Sequence, residues 1–140
     1  MIYTASYFQP ENHHGRRVGI SRSVPKHFIP DDRLLFLAPS AALLRDCKLG
    51  LSEEDYTNRY REELKGRWAI VKPWLQQIQP EQDQTLLCWE HKGNFCHRNL
   101  VGLMVQKYCP DCWGGSDVLR EPAHADRAIC SHEQLQLYRS

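Results

Sequence analysis

The segment Thr85–Tyr108, TLLCWEHKGNFCHRNLVGLMVQKY, decides the fold prediction. It begins with Thr85–Trp89, an apolar run of strand length, which is typical of a strand buried inside a sheet. A short loop around Gly93 follows, and apolar residues then recur at helical spacing from Leu100 to Tyr108. A strand, a tight loop and a helix in this order predict one unit of an α/β sheet.

Three more segments are predicted as strands. Ile2–Phe8 is rich in β-branched and aromatic residues, and Arg17–Ser21 has the composition of a short second strand. Leu34–Leu37 is wholly apolar, which favours a buried central strand. Further along the chain, the pair Gly114-Gly115 predicts a turn.

Capping residues predict three helices between these strands. Ser40 or Pro39 opens a short one that runs through Leu43 and Leu44. Ser52 caps a second, clearer helix, because the next three residues are acidic and the helix dipole favours negative charge there. Gly66 is a suitable residue for the end of this helix. A third helix is predicted to begin at Pro73, since proline suits the first helical position. Strands separated by helices predict a compact single-domain Rossmann-like α/β fold, with helices on both faces of the sheet.

The composition agrees with a single domain over residues 1–140. The hydrophobic fraction of 41% and the charged fraction of 25% are ordinary, which excludes a collagen-like repeat or a disordered tail. With a net charge of +1, no long-range field attracts a polyanion, so an anion must be held by a few positioned groups. Because no secretory signal or membrane-length apolar run is visible, we expect a cytoplasmic protein with reduced thiols and no membrane partner.

Residues with candidate catalytic or binding side chains follow directly after the Thr85–Trp89 strand. In open α/β sheets ligands bind beyond the carboxyl ends of the strands, and that position carries Glu90. The residues Cys96, His97 and Arg98 then open the next helix. A thiol at a helix N-terminus beside an arginine gains thiolate character, and the free backbone N–H groups there bind anions. The pattern fits an anion-binding cradle, an activated nucleophile or both, although packing of Cys96 under the loop would give the same spacing.

Four segments resemble one protein family. The string LLCWEHKGNFCHRNLVG resembles the signature of the domain-of-unknown-function 488 family, in which a strand ending in LCxE leads through a short loop to CHRxL. TASYF resembles the opening strand of that family, ISRSVPKHF is similar to its ISRxxPxxF segment, and SEEDYTNRYREEL matches a helix of one subgroup. The resemblance covers about residues 2–108, and residues 109–140 are a less typical C-terminal extension.

This resemblance implies a Rossmann-like domain, and the name of the family states that its activity is not established. Several of its motif positions would fall at strand ends on one edge of a parallel sheet, which indicates a site more than packing. In this chain the motif positions are Ser6, Tyr7, Arg22, Tyr60, Cys88, Glu90, Cys96, His97 and Arg98.

We therefore expect an enzyme or binder that acts on a small anionic ligand, a nucleotide or a nucleic-acid-like group. Arg22 and Arg98 would clamp its phosphate or carboxylate. Cys96 would be the nucleophile, and Glu90 or His97 would move a proton. Whether the ligand reacts or is only bound stays open at this point, as does the oligomeric state. Further expected ligand contacts are Ser6, Tyr7 and Tyr60.

A zinc-stabilised module is one alternative. Cys109 and Cys112 have the spacing of a zinc knuckle, and Cys130 and His132 would complete a tetrahedral set of three cysteines and one histidine. Cys88, inside the apolar strand, is predicted to be a packing residue, since cysteine packs as a small hydrophobe.

A purely structural or nucleic-acid-binding module without catalysis is the other alternative. A basic stretch near the N-terminus would extend the Arg98 pocket into a groove that follows a nucleic-acid backbone. The same charges are also typical of a solvated loop. The stretch contains Arg16, Arg17, Arg22 and Lys26.

Overall fold

A computed structural model of the chain describes residues 1–90 and 95–116. It contains a five-stranded parallel sheet with the strand order β3-β2-β4-β1-β5, and four α-helices, which confirms the predicted α/β fold. The strands are β1 Ile2–Ser6, β2 Arg16–Gly19, β3 Asp32–Arg33, β4 Gln84–Cys88 and β5 Trp113–Ser116. The helices are α1 Ala41–Lys48, α2 Glu53–Gly66, α3 Trp68–Gln76 and α4 His97–Tyr108.

The two faces of the sheet bury different amounts of apolar surface. Neighbouring residues of a strand point to opposite faces, and Leu86 and Leu87 of β4 accordingly belong to two separate core clusters. The cluster around Leu86 is the larger and receives buried side chains from all four described α-helices. The cluster around Leu87 is small and is completed by Tyr7 and Trp89, with Val24 packed against it.

The predicted helix caps are present. The Ser40 hydroxyl accepts a hydrogen bond from the backbone N–H of Leu43 at 3.0 Å, and the Ser52 hydroxyl accepts one from Asp55 at 3.1 Å. Each serine satisfies an N–H group that has no partner inside its own helix. These two caps fix where α1 and α2 begin.

The predicted central strand at Leu34–Leu37 is wrong. Leu35–Leu37 forms a 3₁₀ helix, and the neighbouring strand β3 is a two-residue strand at the edge of the sheet. Side chains from distant helices bind the carbonyls of this segment: the Tyr60 hydroxyl donates to Leu37 O, and the Arg67 guanidinium donates to Phe36 O. Within this described segment only Leu34 bonds the sheet, through its N–H to Gly19 O of β2, and the carbonyls of Phe36 and Leu37 are satisfied by side chains, so the apolar run does not need to continue as a strand.

Two further boundaries differ from the prediction. The third helix begins at Trp68, because α3 follows α2 directly and Val71 is fully buried. The predicted start, Pro73, lies inside α3. The predicted turn at Gly114-Gly115 is part of β5, which pairs with β1. A Cβ atom on Gly114 would lie 2.6 Å from the Tyr3 ring, so the glycine allows the close approach of the two strands.

The strand order predicts a ligand crevice at the carboxyl ends of β1 and β4. These two strands are neighbours, and the chain leaves β1 toward β2 on one side and leaves β4 toward β5 on the other. Such a reversal of direction marks the ligand crevice of open α/β sheets. The residue pair at this point of the register is Ser6 and Cys88.

None of the α-helices in the described ranges is long and apolar enough to span a membrane.

Candidate functional site

Backbone hydrogen bonds hold three strand ends together at the carboxyl edge of the sheet. The Tyr7 N–H, directly after β1, donates to Cys88 O at 3.0 Å. On the other side of β4, the Ile20 N–H donates to Leu87 O at 3.1 Å. Cys96 is the N-cap of α4, so the residues that open this helix return to the same edge.

His97 stands at the centre of a buried cluster. Its Nδ1 atom lies 3.4 Å from Cys96 Sγ and 3.5 Å from Cys88 Sγ. Its Nε2 atom lies 2.6 Å from Ile20 O. A carbonyl oxygen only accepts hydrogen bonds, so Nε2 carries the ring proton of the neutral imidazole and Nδ1 keeps its lone pair toward the two sulfurs.

The surroundings keep His97 neutral. Burial lowers the pKa of His97 from 6.5 to about 4, the hydrogen bond to Ile20 O acts in the opposite direction, and the positive charge of Arg98 lowers the pKa further. At neutral pH this imidazole is therefore an acceptor at Nδ1.

Tyr60 forms one wall of the cluster. Its ring meets the His97 ring edge to face at a centroid distance of 5.6 Å, and its hydroxyl donates to Leu37 O at 2.6 Å. Burial raises the pKa of Tyr60, so the hydroxyl stays protonated. The sequence prediction that Tyr60 contacts a ligand is compatible with its ring position, while the described contact of its hydroxyl is with the backbone.

Two charged residues, Glu90 and Arg98, are buried at this edge. Glu90 is 1% exposed and Arg98 is 0% exposed. Arginine does not lose its charge in proteins, and burial of a charge is costly. Such groups are placed where the fold or the chemistry needs a charge, and Arg98 lies in the first turn of α4, beside His97.

Ser6 and Tyr7 point in different directions from the end of β1. The Ser6 hydroxyl accepts from the Phe8 N–H at 3.1 Å. The Tyr7 hydroxyl bonds the Ser21 hydroxyl at 2.7 Å, and its ring packs edge to face on Trp89 in the smaller core cluster. The assignment of Ser6 and Tyr7 as ligand contacts stays a prediction.

The two arginines of the predicted clamp occupy different environments. Arg98 is buried, whereas Arg22 is exposed just after β2, where its backbone carbonyl accepts from the Arg33 guanidinium at 2.7 Å. A ligand held by both would have to reach from the surface to the buried edge. The clamp stays a prediction.

Cys88 is fully buried, as its place in an apolar strand predicts. Its sulfur also lies 3.5 Å from His97 Nδ1, a contact that the sequence analysis does not predict. The position of Cys88 as the last residue of a parallel strand, in register with Ser6, is the feature that could have indicated this contact.

Four of the described cysteines form two close pairs. Cys88 and Cys96 bring their sulfurs together in the manner of a disulfide, although their Cα atoms are 7.4 Å apart, beyond the roughly 4.4–6.8 Å usual for that bond. Cys109 and Cys112 are also paired, with a Cα separation of 5.4 Å.

Two sets of residues bear on metal binding. The ligand atoms of Cys88, Cys96 and His97 all lie within 4.8 Å of one another and could hold a metal ion. For the predicted zinc set, Cys109 and Cys112 lie together, while Cys130 and His132 are outside the described residues. The zinc site built on those four residues stays a prediction.

Part of the basic N-terminal stretch is neutralised by acidic neighbours. Arg16 lies 3.7 Å from Asp32, and Arg17 lies 3.7 Å from Asp31. All four side chains are at least partly exposed, so these ion pairs contribute little to stability. They reduce the net positive charge available for a nucleic-acid backbone, and that alternative is untested.

Comparison with known proteins identifies the family. The model of DUF488-N3a, described as the active DUF488-N3 subclade, matches residues 2–109. Comparison with curated proteins and with solved structures gave no match. The match includes the strands β1 to β4, the four described α-helices and the candidate site from Cys88 to Arg98. The chain belongs to the DUF488 family.

Proposed function

We propose that the protein is an enzyme that uses the Cys96 thiol to act on an anionic, nucleotide-like ligand at the carboxyl edge of the sheet. The observation that carries this proposal is the 3.4 Å approach of Cys96 Sγ to His97 Nδ1, together with the fixed orientation of the imidazole by Ile20 O. A nucleophile, a proton acceptor and a group that orients the acceptor are the parts that thiol catalysis needs. The subclade model that matches the chain is itself described as active.

Cys96 is better suited than Cys88 to be the nucleophile. Both sulfurs approach His97, but Cys96 is 5% exposed and Cys88 is fully buried. In the proposed reaction the Cys96 thiol passes its proton to Nδ1, and the sulfur forms a bond to an electrophilic atom of the ligand. The leaving group departs with the proton from Nδ1. Water then displaces the ligand from sulfur, which restores the thiol.

The charge at the site favours an anionic ligand. Arg98 supplies a permanent positive charge in the first turn of α4, where the helix N-terminus adds to it. The same potential stabilises the Cys96 thiolate. The aromatic residues Trp89 and Phe95 lie directly after β4 and just before α4. Aromatic rings suit a base, so a nucleotide or a nucleic-acid end is the substrate class we propose. Glu90 is proposed as a second group that moves a proton.

Ligand protection of Cys96 tests this function. The reduced protein is alkylated with iodoacetamide in the presence of each of the four ribonucleoside monophosphates or the matching nucleoside, and modification of Cys96 is followed by peptide mass spectrometry. We expect at least one monophosphate to slow the modification saturably, by about 10-fold, and its nucleoside to protect far less. If none protects at millimolar concentration, the proposed substrate class is wrong. Cys112 serves as the internal reference thiol.

A further inference from the structure

We infer that Cys88, Cys96 and His97 form a binding site for a zinc ion, and that zinc held there blocks the thiol chemistry of Cys96. This set shares no residue with the Cys109-x-x-Cys112 pattern. The inference about inhibition rests on the proposed function, whereas the inference about zinc binding stands on the geometry of the three side chains.

The two distances from His97 Nδ1 fit tetrahedral coordination, whereas the paired sulfurs of Cys88 and Cys96 would move apart after reduction. With Zn–S bonds of about 2.3 Å and a Zn–N bond of about 2.0–2.1 Å, the sulfur and nitrogen ligands of one zinc ion lie about 3.6 Å apart. The observed separations from Nδ1 are 3.4 Å to Cys96 Sγ and 3.5 Å to Cys88 Sγ. Zinc would place the two sulfurs about 3.8 Å apart. The Cα separation of 7.4 Å is too wide for an ordinary disulfide and leaves room for this movement.

The imidazole is already prepared as a ligand. Zinc binds the unprotonated nitrogen of histidine, and the other nitrogen of such a histidine almost always donates to a carbonyl or carboxylate. Here Nδ1 presents its lone pair to the sulfurs while Nε2 donates to Ile20 O at 2.6 Å. No rotation of the ring is needed for zinc to bind.

The charges also suit a buried site. Binding releases the two thiol protons, and two thiolates neutralise the double charge of zinc. The resulting unit of zinc, two thiolates and a neutral imidazole carries no net charge, so its burial avoids most of the cost of an isolated ion. All three side chains are at most 5% exposed. Three protein ligands leave one coordination position for water or another donor, as in catalytic zinc sites.

Zinc titration of the full chain tests the site. The protein is reduced, stripped of metal with a chelator and titrated with Zn²⁺ against a chromophoric competitor. We expect one strongly bound zinc per chain that is weakened at least about 100-fold by Cys88→Ser and left unchanged by the matched control Cys112→Ser. X-ray absorption of the wild-type zinc complex should show two sulfur ligands at about 2.3 Å with nitrogen or oxygen completing the shell. The spectrum needs no variant, so it decides the question even if Cys88→Ser does not fold.

Three outcomes would overturn the site: no zinc binding by the reduced wild type, unchanged binding in Cys88→Ser, or loss of binding in Cys112→Ser. Inhibition is measured separately through alkylation of Cys96. One equivalent of zinc should slow this alkylation at least 10-fold in the wild type and much less in Cys88→Ser. If zinc binds as expected but Cys96 of the metal-free protein is unreactive, the proposed function fails and the zinc site stands. If Cys96 is reactive and zinc does not bind, the zinc site fails and the proposed function stands.

Discussion

The carboxyl edge of the sheet and the groove between α2 and α4 are opposite kinds of site. The edge buries Glu90, His97 and Arg98 and exposes almost none of the cluster. The groove has a volume of about 590 Å³, an apolar floor and a rim of cations. Its lining consists of Arg61, Leu64, Lys65, Trp68, Leu100, Leu103, Met104, Lys107 and Tyr108.

On the proposed function, the chemistry takes place at the edge, although the open volume lies in the groove. The groove has room for a ligand, but its charged lining groups are the cations of Arg61, Lys65 and Lys107. None of the described residues that line it carries a thiol, an imidazole or a carboxylate. The edge is almost closed to solvent, but a cysteine sulfur, a neutral imidazole and an arginine are buried there. The two regions can be separated by matched substitutions, one in each.

The largest expected difference is the pH dependence that His97 gives to stability. The pKa of His97 is about 4 in the folded protein and 6.5 as the ordinary value, so the unfolded state binds a proton first as the pH falls. The stabilisation that His97 gives to the folded state is therefore complete above pH 6.5 and is lost between pH 6.5 and 4. It amounts to at most about 3 kcal/mol. The measurement is the free energy of unfolding of the reduced, metal-free protein at pH 7 and pH 4.5, for the wild type and His97→Gln.

The variant should lose less stability on acidification than the wild type, because the carboxylates contribute equally to both. His14→Gln, the same substitution at an exposed position, is the control. An identical slope in wild type and His97→Gln would contradict the buried neutral imidazole.

The next difference compares two tyrosine hydroxyls. Tyr60→Phe removes the buried hydrogen bond to Leu37 O, leaving that carbonyl without its donor, and should lower the free energy of unfolding by about 1–2 kcal/mol. Tyr108→Phe in the groove should change it by less than about 0.5 kcal/mol, because Tyr108 is 54% exposed. Urea denaturation measures both. Equal effects would mean that the wall of the edge site is less firmly packed than the structure shows.

The smallest expected difference concerns the positive potential of Arg98. Iodoacetate is an anion and iodoacetamide is neutral, so the ratio of their alkylation rates at Cys96 reports the local potential. Arg98→Met should lower this ratio by about 10-fold, and Lys107→Met in the groove should leave it unchanged. A folded Arg98→Met protein with an unchanged ratio would remove Arg98 from the anion site, and an unfolded one would show that Arg98 is structural.

Much of the fold could be predicted because its signals are local. Ser52 and the acidic residues after it define the start of α2, and the sequence from Thr85 to Tyr108 contains both β4 and α4. The conformation of Leu34–Leu37 could not be predicted, because side chains that are distant in sequence satisfy its carbonyls. These side chains belong to Tyr60 and Arg67. Short apolar runs of this kind fit a strand and a helical turn equally well.

The candidate site was predicted in part for the same reason. Cys96, His97 and Arg98 are adjacent in sequence and were placed together correctly at the start of α4. The roles of Cys88 and of the Ile20 carbonyl depend on which strands are neighbours, and a single sequence does not show the strand order. The pairing of β4 with both β1 and β2 is what brings these groups to one imidazole.

The reactivity of Cys96 in the metal-free wild-type protein tests the central claim most directly. The rate of its alkylation by iodoacetamide is measured between pH 5 and 9 and compared with that of a model thiol and of Cys112 in the same sample. A thiol next to His97 Nδ1 and Arg98 should react at pH 7 at least about 10-fold faster than the model thiol, with the midpoint of its rate profile below the usual thiol pKa near 8.5. A Cys96 that reacts no faster than the model thiol at pH 7 would contradict the account.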